Sequence, residues 1–489
     1  MRWRPGGAIG DSGEGQDEHP PEVAMRVTLL GHASVLVELD GATCLMDPVL
    51  ADPFEEGTVV SCPQRTIDAD RLPPIDILVV SHRHPDHFDL ASLARVDRRA
   101  DAVCPADPLI VYALEELGFE AVHAVHPMAP IVGDGFELFP TRSELRSIPE
   151  MGCVFHDRTG TFWNQVDTPL ASATIDGVRE RFSGVDLLFA MYASQNFEFF
   201  ESLTTRFPTE THQQNLDAVV RIGPRTVVPA SAGFRFCGPH EWLNAFLFPI
   251  SRARFVDDLG QLSPQTDTVV MNPGDVIDID GEHIRHRPGA SALARTDVDD
   301  TWRIAFDPTA PVPPLRDDNP DGYADSEIAT ATREVILDGV AGYVERDSGS
   351  DDPLLGAYAS HRATYRVDVV FPDDQVRWYR FDFGDRPPGI TDGSGVGPPS
   401  DLVHRIAASA LTGWSRHARS FFSVRASSRR AGVIHQPVRD GDDVRLETHP
   451  LPDLLMYYLI RKAEGSELAA KHEVDHQLQL LRAGSLRGA

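Results

Sequence analysis

Four side chains able to bind a metal ion fall within six residues of this sequence, His82-Arg83-His84-Pro85-Asp86-His87. They follow directly on Ile75-Asp76-Ile77-Leu78-Val79-Val80, an apolar run that reads as a buried strand. A loop at the end of such a strand can aim two imidazoles at one ion, and an Asp with a third imidazole at another. Neutral imidazole and carboxylate suit zinc, iron and manganese alike, so the pattern points to metal and leaves its identity open. A lone histidine in a polar loop usually contacts only water. Three of them with an Asp, directly after a buried strand, make the metal site the stronger reading.

A dinuclear site draws ligands from more than one loop and usually shares a carboxylate between its ions. Asp167, in Trp163-Asn164-Gln165-Val166-Asp167-Thr168, sits where a strand ends and could offer both oxygens, although a turn Asp is the plain alternative. Asp47, before Pro48, could accept the ring N–H of a ligand histidine and fix its tautomer, or simply form a turn. His32 reads as a pocket-lining or structural histidine.

The elements that must position these residues can be read from periodicity. Arg26–Leu30, Ser34–Leu39 and Ala42–Met46 read as short strands bounded by Gly or Asp. Gly152–His156 and Thr161–Val166 read as a hairpin across Asp157-Arg158-Thr159-Gly160, and Val185–Ala190 and Thr226–Pro229 as further strands. Pro108–Leu117 and Gln213–Ile222 have helical spacing. Strands with helices interposed imply sheets covered by helices, an α/β (α+β) fold. Residues 1–24 read as a disordered tail, 25–260 as a metal-binding domain, 261–322 as a connection that is acidic and Pro-rich over 294–322, and 323–489 as an α+β domain of unknown role. Within that last part, Tyr323–Val344, Leu402–Trp414 and Leu454–Ile460 read as helices, Tyr365–Phe371 and Val376–Phe383 as strands, and Gly384–Ser400 as a loop that could serve as a lid.

The chain has 489 residues, with 45 Lys and Arg against 74 Asp and Glu, a formal charge of −29. That surface repels nucleic acid and anionic lipid, so neither is expected as a partner. Five scattered cysteines without a C-x-x-C pair argue for a reducing compartment and against a disulfide framework. With no signal-peptide core and no long apolar run, a cytoplasmic protein is expected.

Gly31-His32-Ala33, Met46-Asp47-Pro48, the H-x-H-x-D-H loop and Asp167 occur in the order and spacing of the metallo-β-lactamase superfamily, which residues 25–260 resemble. The resemblance implies an αββα sandwich with metals at one edge, His82 and His84 on one ion, Asp86 and His87 on the other, and Asp167 bridging. A narrower likeness is to the metallo-β-lactamase-like part of CMP-N-acetylneuraminate hydroxylases. It is carried by Pro149-Glu150-Met151, Asn164-Gln165-Val166-Asp167, Pro229-Ala230-Ser231-Ala232-Gly233-Phe234 and Pro239-His240. Those enzymes also have a Rieske cluster, whose C-x-H and C-x-x-H ligand pattern is missing from this sequence.

Hydrolytic members of the superfamily place a histidine upstream of the bridging Asp. That interval here holds Glu144, the first choice because the Phe136–Pro140 strand would deliver it, then Glu150, and His156 on the wrong face of its strand. The last family histidine falls near Ser231, so His240 is assigned that role. A carboxylate in place of an imidazole hardens the site and favours iron or manganese. The expected function is therefore a di-iron oxygenase that hydroxylates or N-oxygenates a small molecule, with O₂ and an external electron donor, and with Asp86 and Asp167 at the reaction centre. A two-zinc hydrolase of an ester, amide, lactone or phosphodiester is the alternative. A non-enzymatic scaffold would be expected to have lost members of the ligand loop, and none is missing.

Overall fold

Several strands of the first 290 residues are apolar at nearly every position because both of their faces are covered. In the Ser34–Leu39 strand, Val35, Val37 and Leu39 enter the core between the two sheets while Leu36 enters the core beneath the helices. Ile77 and Val79 against Leu78, and Cys44 and Met46 against Leu45, divide in the same way. The computed structural model describes residues 24–484 except 146, 194, 197, 198, 201–204, 350, 432, 433, 441, 442, 450, 465 and 466, and only the backbone of residues 431–449 and 462–470. The expected disordered tail, apart from Ala24, lies outside the described residues.

One sheet of eight strands runs in the order Ile284–Arg287, Val276–Ile279, Met25–Gly31, Ser34–Leu39, Ala42–Met46, Ile77–Val79, Asp101–Pro105, Ala121–Val125. The second, of seven, runs Asp267–Thr268, Thr226–Ala230, Leu187–Met191, Gly160–Asn164, Met151–Asp157, Phe136–Arg142, Ile131–Val132. Pro108–Glu116 packs outside the first sheet, and Ser172–Arg181, Thr209–Ile222 and Arg252–Leu262 outside the second, giving the αββα sandwich. The stretch read as a connection from residue 261 belongs in part to this body. Val276–Ile279 pairs with Met25–Gly31, and Ala294–Val298 pairs with Gln64–Ile67. In Val276–Ile279 the core residues Ile277 and Ile279 alternate with the half-buried Asp278.

The C-terminal body has a five-stranded sheet in the order Gly389–Ser394, Val376–Asp382, Thr364–Val370, Leu402–Ala407, Ser428–Ala431, covered by helices. Two expectations are corrected here. Leu402–Trp414 is a strand, Leu402–Ala407, followed by a helix, Ala408–Ser415, and the expected loop Gly384–Ser400 contains the edge strand Gly389–Ser394. Tyr323–Val344 is helical from Asp325, with a π-helical stretch over Glu334–Ala341.

The C-terminal body closes back on the first. The helix Glu467–Arg482 inserts Val474 and Leu478 into the core beneath the first sheet. Tyr112 Oη donates to Asp475, Lys471 Nζ lies 4.0 Å over the Tyr112 ring, and Arg482 pairs with Glu116 at 2.7 Å. The short helix Phe421–Ala426 packs on Glu55–Gly57 of the first body. No helix among the described residues is long and apolar enough to cross a membrane.

Asp453 anchors the C-terminal core from a position that is 1% exposed. Tyr365 Oη and the Met456 N–H donate to one oxygen, and His404 Nδ1 lies 2.9 Å from the other. Burial alone would raise its pKa, but His404 and Arg430 hold it down at about 2. A carboxylate depressed in the folded state stabilises above its unfolded pKa of about 4, and the gain is lost as pH falls through about 2. Asp453→Asn is expected to cost about 3 kcal/mol in urea unfolding at pH 7. The difference from wild type should shrink between about pH 4 and pH 2, and a constant difference would show that ionisation of Asp453 does not stabilise the fold.

Candidate metal centre

The ends of several strands meet at one rim of the sandwich, and the backbone there is repeatedly left-handed. His32 after the first strand, Asp47 after the third, Val166 just before Asp167 and Ser231 after Thr226–Ala230 have φ of 46°, 46°, 60° and 59°. Each such residue costs of order 1–3 kcal/mol and persists only where its surroundings fix it. At this rim the surroundings are one another.

Asp47, fully buried, organises the His82–His87 loop. Its Oδ1 accepts from the Ser81 N–H at 2.7 Å, and its Oδ2 accepts from Ser81 Oγ at 2.6 Å and from His87 Nδ1 at 2.9 Å. Ser81 Oγ is also 2.9 Å from His82 Nδ1, so the ring N–H of His82 donates to it. Both imidazoles are thereby held with Nε2 free of the backbone and turned to the rim. Arg83 reaches out of the loop to Asp107 at 3.0 Å, the residue that caps the Pro108–Glu116 helix.

Two groups of possible ligands result: His32, Asp86 and His87, and His82, His84 and Asp167. Within the first, His32 Nε2 is 3.0 Å and His87 Nε2 3.6 Å from Asp86 Oδ2. Within the second, His82 Nε2 is 2.9 Å from His84 Nδ1 and 3.8 Å from Asp167 Oδ2. That same Asp167 oxygen is 3.7 Å from His87 Nε2, so it lies between the groups. Asp167 Oδ1, His87 Nε2 and His32 Nδ1 are buried without a hydrogen-bond partner among the described residues. Buried polar atoms left in that condition are costly, and a cation between them would satisfy them, so the donor set fits two metal ions.

The electrostatics agree with this arrangement. Burial drives the His82 and His84 imidazoles toward the neutral form that ligates metal. Burial opposes ionisation of Asp86 too, yet His87, His32 and His84 hold it well below the usual carboxylate range. His87, depressed by burial, is raised to about 10 by Asp167, Asp86 and Asp47.

Glu150 is the carboxylate that the fold brings to this centre. It is buried, bound by Ser143 Oγ at 2.6 Å, and raised to about 8 by burial and by the neighbouring Asp167 charge. The Met151 N–H donates to Ser81 O, tying the start of its strand to the ligand loop. Gly152 permits the close fit that follows, since a Cβ there would meet Thr141 Oγ1 at 2.7 Å and Asn164 O at 3.0 Å. Glu144, the first choice from sequence, is exposed, because the chain leaves the sheet edge after Arg142 and its backbone turns to Pro169.

His240 is also placed elsewhere. It lies in the 3₁₀ segment Gly238–Leu243 and its Nδ1 donates to Ala426 O, which docks the C-terminal body. Burial lowers it to about 4. At the strand end where sequence expected the last histidine stands Ser231, and at Gly233 beside it a Cβ would meet the His32 backbone nitrogen at 3.0 Å. His156 lies in its strand against Thr161 and Phe182. Phe422, in the short helix Phe421–Ala426, meets the His84 ring edge-on at 5.1 Å.

Residues 26–151 match the family model of the beta-lactamase superfamily domain. The first body is a metallo-β-lactamase fold. A Mycolicibacterium smegmatis protein bearing the name Rieske 2Fe-2S iron-sulfur protein is 26% identical over 283 residues, which is 53% of this chain and 54% of that one. A metal-dependent hydrolase of Hyperthermus butylicus is 34% identical over 93 residues, 19% of this chain and 36% of that one. The chain thus spans about half the length of the first relative and less of the second. CmlA, a diiron beta-hydroxylase from Streptomyces venezuelae, is 16% identical with a TM-score of 0.37, over 54% of this chain and 55% of that one. The sequence alone sets His32 outside the ligands and ranks Glu150 second, whereas the structure groups His32 with Asp86 and His87. The signal for His32 was its place directly after the first strand, in Gly31-His32-Ala33.

Metal content by mass spectrometry separates the two carboxylates and the two histidines. Glu150→Ala is expected to weaken loading by about 10–100-fold and Glu144→Ala to leave it unchanged. His32→Ala should lose one ion per chain, whereas His240→Ala should keep both; the reverse pattern would return the roles to Glu144 and His240. Asp47→Asn should cost about 10–100-fold in affinity, because His87 then loses the acceptor that orients it.

Proposed function

We propose that this chain is a dinuclear, iron-dependent oxygenase that hydroxylates or N-oxygenates a small molecule. The observation that supports the reading is Glu150, a buried carboxylate beside Asp167 in a centre otherwise made of four imidazoles and two aspartates. A third carboxylate makes the donor set harder and more anionic, which favours iron or manganese relative to zinc. His32, Asp86 and His87 would hold one ion, His82, His84 and Glu150 the other, with Asp167 shared between them. Iron bound there would supply the reduction of O₂, one oxygen atom entering the substrate and the other leaving as water with two electrons from an external donor.

The protein's own share is orientation and exclusion of water. Asp47 and Ser81 fix two imidazoles, and Phe422 covers the open side of His84. A two-zinc hydrolase remains the second reading, favoured by the relative named as a metal-dependent hydrolase. Protein produced with added iron and purified without O₂ is expected to hold two irons per chain. On reduction and admission of O₂ its optical spectrum should change. Two zincs, with turnover undiminished when O₂ is removed, would instead establish the hydrolase.

A further inference from the structure

A cavity of about 270 Å³ opens beside His84 between the two bodies, near the small end of ligand pockets, about 300 Å³ and upward. Phe54 and Phe88 line it from the first body, Phe421 and Phe422 from the second. Its charges do not balance. Arg83 is engaged by Asp107 at 3.0 Å, and Arg419 by Asp321 at 2.8 Å. Glu56 accepts from Ser420 Oγ at 2.8 Å and has the Arg419 charge nearby, while burial and the Asp86 and Glu56 charges push Glu55 well up against the opposing Arg425.

Glu473, on the Glu467–Arg482 helix, is half-buried, lines the cavity and has neither a hydrogen bond nor an ion-pair partner among the described residues. Its charged neighbour is Glu56, another carboxylate, and burial together with that charge raises it to about 8. Two carboxylates lining one cavity repel each other unless a cation joins them. The aromatic rings of the cavity attract cations, as Arg425 shows by lying 5.5 Å from the centre of Phe421 and 5.2 Å from that of Phe422.

We infer that the substrate carries an ammonium group, seated between Glu473 and Glu56, on an apolar body held by Phe421 and Phe422 with its reacting end toward His84. This rests on the metal-centre reading above and adds the class of substrate to it. It also gives the C-terminal body a function, since Glu473, Phe421 and Phe422 all come from it.

The test is calorimetric binding of 2-phenylethylammonium, 2-phenylethanol and 3-phenylpropionate to the full-length, metal-loaded protein, with metal content measured on the same sample. The ammonium should bind about tenfold or more tighter than the alcohol or the anion. Glu473→Gln should remove that preference while the metal content stays unchanged. Equal affinity for amine and alcohol, or no binding of the amine, overturns the inference, and this comparison on wild type decides even if Glu473→Gln fails to fold. Calcium that competes with the amine and is lost in Glu473→Gln would make the wall a metal site and overturn it as well. A sample with two ions and no ammonium preference sinks this inference alone, whereas a chain that binds no metal sinks the reading beneath it.

Discussion

The arrangement depends on one buried carboxylate. Asp47 has no water around it, and its charge is sustained by the Ser81 N–H, the Ser81 hydroxyl and the His87 ring. Charge-assisted bonds of this kind are stronger than neutral ones, and leaving one unmade in the interior costs more than the bond itself contributes. The chain therefore has one way to close this rim: with Ser81 under Asp47, His82 and His87 must present their outer nitrogens to the same space. The left-handed backbone at His32 and Asp47 is the local strain that this geometry maintains.

The same interior explains why the rim is suited to cations and to little else. Four imidazoles and three carboxylates are gathered where desolvation opposes every charge, and their mutual interactions pull the values apart, Asp86 down and His87 up. Without metal the cluster must share protons among close nitrogens and oxygens, as the 2.9 Å approach of His82 and His84 requires. Metal and proton compete for these atoms, so tighter binding of one means release of the other.

Much of this was legible from local spacing. The H-x-H-x-D-H loop after an apolar strand, and Asp167 after a hairpin, carry their meaning within a few residues, and the doubly buried strands show themselves as continuous apolar runs. The choice between Glu144 and Glu150 was not local. It is made by the bond from Met151 to Ser81, across 70 residues of sequence, and by the close packing at Gly152. The strand Leu402–Ala407 was mistaken for helix because His404, buried against Asp453, occupies an inward position where an apolar residue would have shown the period of two. Leu402, Ile406 and Leu411 then imitate helical spacing. A long-range ion pair had hidden a short-range pattern.

The helix Glu467–Arg482 carries a consequence for how the molecule matures. The candidate ligands lie between His32 and Asp167 and both sheets of the sandwich are complete by Arg287, yet the cavity wall is completed only at Glu473, about 190 residues later. During translation the rim thus stands open to ions from solution before its aromatic roof exists. The residues that would hold ions and those that cover them therefore reach the folding chain at different times, in the order of synthesis.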